Sequence, residues 1–202
     1  MLNVEFMPSI HLRDIEPAVV RSWERHFAGV PEVSVSCGDI FDHGADAIVS
    51  PANSFGYMDG GIDMVYSRIL GSHLEGELQA LLKAEHFGEL PVGQAVVLPT
   101  GHETIPYLVS APTMRVPSEI GRTVNVYLAF RAALIAILRH NESSTRQIDS
   151  LLVPGLGTGV GGMPPERAAR QMRLAYDAII GGLGLKERNA GAIWGENSTL
   201  LL

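Results

Sequence analysis

Cysteine is almost absent from this sequence. Cys37 is the only one in 202 residues, so no disulfide can close within the chain and no cysteine cluster can hold zinc. A reducing, cytoplasmic setting is the expectation. Flanked by small residues in a strand pattern, Cys37 itself is expected in the core. Basic side chains are also scarce: 15 Lys and Arg stand against 22 Asp and Glu, a formal net charge of −7. A broad nucleic-acid-binding surface needs the opposite balance, so no nonspecific nucleic-acid binding is expected. No apolar run is long enough to cross a membrane. Met1 to Arg13 has no basic segment leading into an apolar core, so no export signal is read. The seven histidines are scattered without an H-x-x-x-H pair, which removes the usual helical metal site, and neither a metal nor a redox cofactor is expected. No G-K-[ST] occurs, which argues against a P-loop nucleotide triphosphatase.

What the chain does have is apolar bulk and glycine. Hydrophobic residues make up 46% and charged residues 18%, the balance of a packed globular protein rather than a disordered one. The length fits one domain over residues 1–202. Leu2 to Met7 reads as an edge strand closed by Pro8. Asp14-Ile15-Glu16-Pro17 opens a helix whose Val19, Val20, Trp23 and Phe27 share a face, with Gly29 at its end. Val33 to Cys37 and Ala45 to Val49 read as strands. A short helix over 64–71 and a second over Leu74 to Ala84 follow. Gly93 to Pro99 and Tyr107 to Ala111 are two further strands. Val124 to Leu138 carries the clearest i, i+3, i+4 pattern, and Asn141 to Gln147 reads as a polar loop. Ile148 to Val153 is a strand, and a helix starting at Pro164-Pro165 runs to about Ile180. Residues 183–202 read poorly and suggest a short strand and a tail. Alternating strands and helices predict the α/β class, as a three-layer sandwich.

Two glycine-bearing loops carry the chemistry. Ser50-Pro51 ends the strand at 45–49, because proline cannot donate to a sheet ladder. Asn53 therefore falls just beyond a strand's carboxyl end, where open α/β sheets bind ligands. Gly60-Gly61 permits close backbone approach, and Asp63 stands at a helix start. The second loop, Pro154 to Pro165, contains Gly157, Gly159 and Gly162, a formal G-x-G-x-x-G between a strand and a helix. A dinucleotide fold would place its ribose acid at the end of the next strand. Asp177 has the right distance from Gly157 but lies within a helical pattern. A cradle of main-chain N–H groups for a phosphate needs no lysine, and fits this loop better. The plainer alternatives are a turn residue at Asp39, a helix-capping acid at Asp63 and an unliganded connector at 154–165.

Taken in order, Gly38-Asp39-Ile40, Ala47-Ile48-Val49-Ser50-Pro51-Ala52-Asn53, Gly60-Gly61-Ile62-Asp63 and Gly157-Thr158-Gly159-Val160-Gly161 resemble the motifs of macro domains, which bind ADP-ribose. The resemblance spans roughly residues 33–180. It implies a mixed six- or seven-stranded sheet between helices, with ADP-ribose at the strand ends and no cofactor. The partner it implies is ADP-ribose or an ADP-ribosylated macromolecule. By resemblance, Asp39 would accept from the adenine amine with the Ile40 backbone assisting, and Asn53 would meet the distal ribose. Gly60, Gly61 and Ile62 would line the diphosphate and distal ribose. Gly157, Thr158, Gly159, Val160 and Gly161 would wrap the diphosphate from the other side. Asn53 and Asp63 would be the catalytic pair of an ADP-ribosyl hydrolase, and a non-catalytic reader of ADP-ribose is the rival. Two departures stand out: Ser50-Pro51 replaces the family's usual Asn-Ala, and the second loop holds no aromatic residue, leaving Phe55 and Tyr57 of the first loop as substitutes. Residues 1–32 would add a strand and helix at the sheet edge.

Overall fold

The computed structural model describes residues 8–202. Its strands are β1 (Ser9–Asp14), β2 (Val33–Cys37), β3 (Ala47–Ser50), β4 (Val96–Pro99), β5 (Tyr107–Ser110) and β6 (Ser150–Val153). Its α-helices are α1 (Pro17–His26), α2 (Gly61–Leu70), α3 (His73–Glu85), α4 (Asn125–Ser143), α5 (Pro165–Ile179) and α6 (Ala190–Leu201). The strands form one sheet in the order β2-β1-β6-β3-β5-β4. Neighbours are parallel from β2 through β5, and β4 runs antiparallel to β5. Over the described residues the sheet is thus mixed and six-stranded, within the range expected. None of the described helices is long and apolar enough to cross a membrane.

Side-chain alternation divides the core into two. Val49, Val109, Leu151 and Val153 project to the face covered by α1, α4 and α5, where they meet Trp23, Phe130 and Met172. Ile48, Leu108 and Leu152, one residue out of phase, meet Tyr66 of α2 and Leu74, Leu78 and Leu82 of α3. Both faces of the central strands are covered, which is why β3 and β6 read as continuous apolar runs rather than alternating ones.

The N-terminal part differs from expectation in its placement. The strand expected at Leu2 to Met7 lies outside the described residues. The strand that is seen, β1, lies between β2 and β6, not at the edge; among the described residues β2 is the edge strand. Ile10 and Leu12 are 1% and 0% exposed, and burying both requires a sheet neighbour on each side and a helix above. Arg13 fills the opposite face, donating from Nε to the Asp39 carbonyl at 2.7 Å and from an Nη to Asp42 at 2.8 Å. Cys37, at the end of the edge strand, is exposed rather than in the core. At the other terminus, residues 190–201 form α6 in place of a strand and tail. Asn189 caps it by accepting from the Ala192 N–H at 2.9 Å, and only Leu200 is buried. So little apolar contact leaves no periodicity to read. Asn141 to Ser143, expected as loop, extend α4 by most of a turn.

Trp23 fixes α1 against α5. It is 1% exposed, and its indole N–H reaches Met172 Sδ at 3.3 Å. Trp23→Ala is expected to lower unfolding free energy by about 3–5 kcal/mol, as for large-to-small changes in a packed core, measured by urea titration followed by far-UV circular dichroism.

Candidate active site: a cleft between two glycine loops

Parallel strands send their following loops to one edge of the sheet. The turns after β1, β3, β5 and β6 meet there around a cleft of about 610 Å³. Asn53, Gly60, Gly61, Ile62 and Asp63 line one wall, and the run Gly157, Thr158, Gly159, Val160 and Gly161 lines the other. The two loops, some hundred residues apart in sequence, thus face each other across a single opening.

The first wall begins at Pro51, where β3 can no longer pair. Asn53 organises the loop: its Oδ1 accepts from the N–H groups of Phe55 and Tyr57 at 3.1 and 3.3 Å, and its Nδ2 donates to the Tyr57 carbonyl at 2.8 Å. Tyr57 lines the cleft, whereas Phe55 turns away and lies under the Arg115 guanidinium. Arg115 is engaged by Glu89 through two hydrogen bonds of 2.7 and 3.0 Å. The helix α2 starts at Gly60 with no side-chain cap. Its first main-chain N–H groups therefore lack internal acceptors and carry the positive end of the helix dipole. Gly61 has φ +56°, and a Cβ on Gly60 or Gly61 would meet only open space. Glycine there keeps room for a ligand beside the backbone.

Asp63 is the third residue of α2 and is 8% exposed. Ser50 at the end of β3 donates to its Oδ1 at 2.6 Å. Burial raises its pKa from 3.8 to about 6, against the opposing effect of the Ser50 hydrogen bond. Behind it Tyr66 is fully buried, with its hydroxyl donating to the Val49 carbonyl at 3.2 Å.

The second wall is folded tightly on itself. Gly157 has φ +69°, and a Cβ there would lie 2.7 Å from Ile120 Cδ1 and 2.9 Å from Val126 Cγ2. The N–H groups of Gly157 to Gly161 donate to no acceptor among the described residues. Asp14 ties this wall to β1 by accepting from the Gly155 N–H at 2.9 Å and the Glu16 N–H at 2.8 Å. Asp14 and Ile15 line the cleft, where the sequence pattern predicts only a helix start. The available signal was an acid placed immediately after an alternating S-I-H-L-R pattern.

Asp39 and Ile40 are not among the lining residues. The physical cause is β1, which lies between β2 and β6 and puts the end of β2 one strand further out. Asp39 is exposed and caps a short 3₁₀ turn by accepting from the Phe41 N–H at 3.0 Å. Ile40 is buried in the second core, and Phe41 packs edge-on to Tyr66 with ring centres 5.5 Å apart. The dinucleotide alternative also fails on topology. No strand of the sheet follows α5, and Asp177 is spent on Arg173 within that helix.

The lining residues include Asp14, Glu16, Asp59 and Asp63 but no Lys, Arg or His. An anion held here would rest on main-chain dipoles and neutral side-chain donors such as the Thr158 hydroxyl, with no cationic side chain.

Comparison with known proteins agrees with this fold. A family model described as the macro domain matches residues 49–172. An uncharacterized protein of Aquifex aeolicus is 39% identical over 70% of this chain and 78% of its own length. Among solved structures, the macrodomain of Mycobacterium tuberculosis DarG superposes with a TM-score of 0.56 at 25% identity, covering 70% of this chain and 88% of that one. A macrodomain variant of Oceanobacillus iheyensis with ADPR superposes at 0.57 and 21% identity, covering 71% and 75%, and shows the shared fold.

Asp63 sets a pH signature on stability. Its native pKa of about 6 exceeds the unfolded value of 3.8, so the native state holds the extra proton between about pH 4 and 6. Stability from this group is present below that window and is lost as pH rises through it. Asp63→Asn keeps an oxygen for Ser50 and removes the titration. The variant is expected to gain on the order of 3 kcal/mol over the parent on going from pH 4 to pH 8, measured by paired urea titrations.

Proposed function

The chain belongs to the macro domain family, and on that footing we propose that it binds ADP-ribose through its two glycine loops and hydrolyses ADP-ribosyl groups from a modified macromolecule. The observation that carries this reading is the single cleft in which uncapped main-chain N–H groups from both loops stand beside a buried carboxylate. The Oceanobacillus iheyensis macrodomain structure with ADPR supports the choice of ligand.

In this reading the diphosphate lies between the N-terminus of α2 and the 157–161 loop. Both supply N–H donors without cationic side chains. The distal ribose lies over Ala52 and Asn53, next to Asp63. The base end extends past Ile15, which is three-quarters exposed and offers an apolar surface. Beyond it, Asp39 would accept from the exocyclic amine of adenine, since a carboxylate accepts but cannot donate.

Hydrolysis breaks the bond between the anomeric carbon and the attached group, which leaves with the bonding electron pair and takes a proton from solvent, and joins that carbon to a water oxygen. The ionised Asp63 accepts the water's proton and stabilises the oxocarbenium character that develops on the ribose. Ser50 holds the carboxylate in place. With Asp63 near pKa 6, turnover is expected to rise with pH through about 6 and level off above it. One observation favours the non-catalytic reader instead: Asn53 uses its oxygen and one amide hydrogen inside its own loop, so it does less for a substrate than a free amide would.

Asp63→Ala separates the two. A hydrolase is expected to lose about 100-fold or more in the rate of ADP-ribose release from modified protein, while calorimetric affinity for ADP-ribose stays within several-fold. Wild-type protein that binds ADP-ribose and releases none from any modified target is a reader. Equal or tighter binding of NAD or ATP in the same titrations would sink the ligand assignment. The acidic, cation-free lining also predicts that ADP-ribose affinity does not weaken between 50 and 500 mM salt, because screening relieves repulsion rather than attraction.

A further inference from the structure

The 157–161 loop is held from outside the cleft by a buried amide on α5. Gln171 is 0% exposed and uses three of its hydrogen-bonding positions on three separate segments. Its Oε1 accepts from the Tyr127 N–H at 3.1 Å, in the first turn of α4. Its Nε2 donates to the Thr123 carbonyl at 2.7 Å and to the Leu200 carbonyl at 2.9 Å.

Each contact meets a specific need. Helix α4 starts at Val124 with no side-chain cap on its N-cap residue, so Gln171 supplies from another helix an acceptor that a local Ser or Asp would otherwise provide. The Thr123 carbonyl belongs to the turn that supports the glycine loop. In that turn Thr123 N–H donates to Ile120 at 3.0 Å, and Ile120 N–H donates to the Gly161 carbonyl at 2.8 Å. The Ile120 side chain fills the space where a Cβ on Gly157 or Gly161 would stand. The third contact holds the last turn of α6, whose one buried residue is Leu200. Arg167, one turn earlier on α5, repeats the linkage by donating to the carbonyls of Gly121 and Leu202.

We infer that Gln171 is a positioning residue for the second glycine loop, and that through it the docking of α6 and the occupancy of the cleft are coupled. The coupling runs from Leu200 through Gln171 and the 120–123 turn to Gly161. Energetic linkage of this kind is reciprocal. Whatever loosens α6 weakens ligand binding, and whatever fills the cleft tightens the last turn of α6.

The test is amide hydrogen exchange on the full chain, with calorimetry beside it. Gln171→Met keeps the volume and removes the three hydrogen bonds. Leu200→Ala loosens α6 and leaves every side chain of α5 unchanged. Lys83→Ala, at an exposed position on α3 across the sheet, is the control. Both test variants are expected to speed exchange selectively at residues 120–123 and 157–163, and to weaken ADP-ribose binding by about tenfold, a coupling of ordinary size. ADP-ribose added to the parent is expected to slow exchange in residues 198–202. Unchanged exchange at 157–163 in both variants overturns the inference. So does a uniform rise across all amides, which reports lost global stability alone. The calorimetric arm rests on the ADP-ribose reading and the exchange arm of the variants does not. A parent protein that binds no ADP-ribose would therefore defeat that reading while leaving the clamp to be decided by exchange.

Discussion

The parallel alignment of β2, β1, β6, β3 and β5 is the constraint from which the rest of the molecule follows. Each parallel strand must return by a crossover, so every strand delivers its exit loop to the same edge. The first turn of α2, the 154–164 loop and Asp14 come from three distant parts of the chain and meet at that edge because the ladder leaves them nowhere else. Burial on both faces secures the alignment. Val49 and Val153 belong to one core and Ile48 and Leu152 to the other, so a one-residue slip of either strand would exchange the two sets.

That edge collects main-chain donors without collecting positive charge. The uncapped start of α2 and the amides of 157–161, which have no acceptor among the described residues, present donors whose attraction is short-ranged and directional. The surrounding carboxylates, in a protein of net charge −7, repel anions at longer range. Selectivity then comes from geometry: a ligand must place its anionic group within hydrogen-bond reach of both loops to gain anything. Glycine at 157 and 161 is required by the tight packing against Ile120, whereas glycine at 60 and 61 leaves space for a ligand. The same residue type serves opposite purposes on the two walls.

Asp63 shows stability given up locally for a chemical capability. A carboxylate 8% exposed, with one side-chain hydrogen bond from Ser50, is less stable ionised than it would be in water. Tyr66 of the same helix is buried in the core beneath it, and Phe41 and Ile40 pack with Tyr66 there. The Gly38-Asp39-Ile40 turn thereby has a structural part as the rear support of α2, with Arg13 anchoring it to β1.

Local residue chemistry determined a good deal by itself. Pro51 stopping a strand, the glycines at 60–61 and 157–162, and the apolar periods of α1, α4 and α5 are all short-range facts, so the α/β class, most element positions and the two loops were legible in the sequence. Only the tertiary structure decided which elements are neighbours. That Asp14 lines the cleft while Asp39 stands outside it depends on β1 inserting between β2 and β6, a pairing made by residues more than a hundred positions apart. That Asp63 is buried beside Ser50, that Gln171 caps a helix other than its own, and that residues 190–201 form a helix held by one turn are likewise long-range. Hydrophobic pattern reports which face of an element is buried, but it carries no label for the partner that buries it, and at this site the partner decides the chemistry.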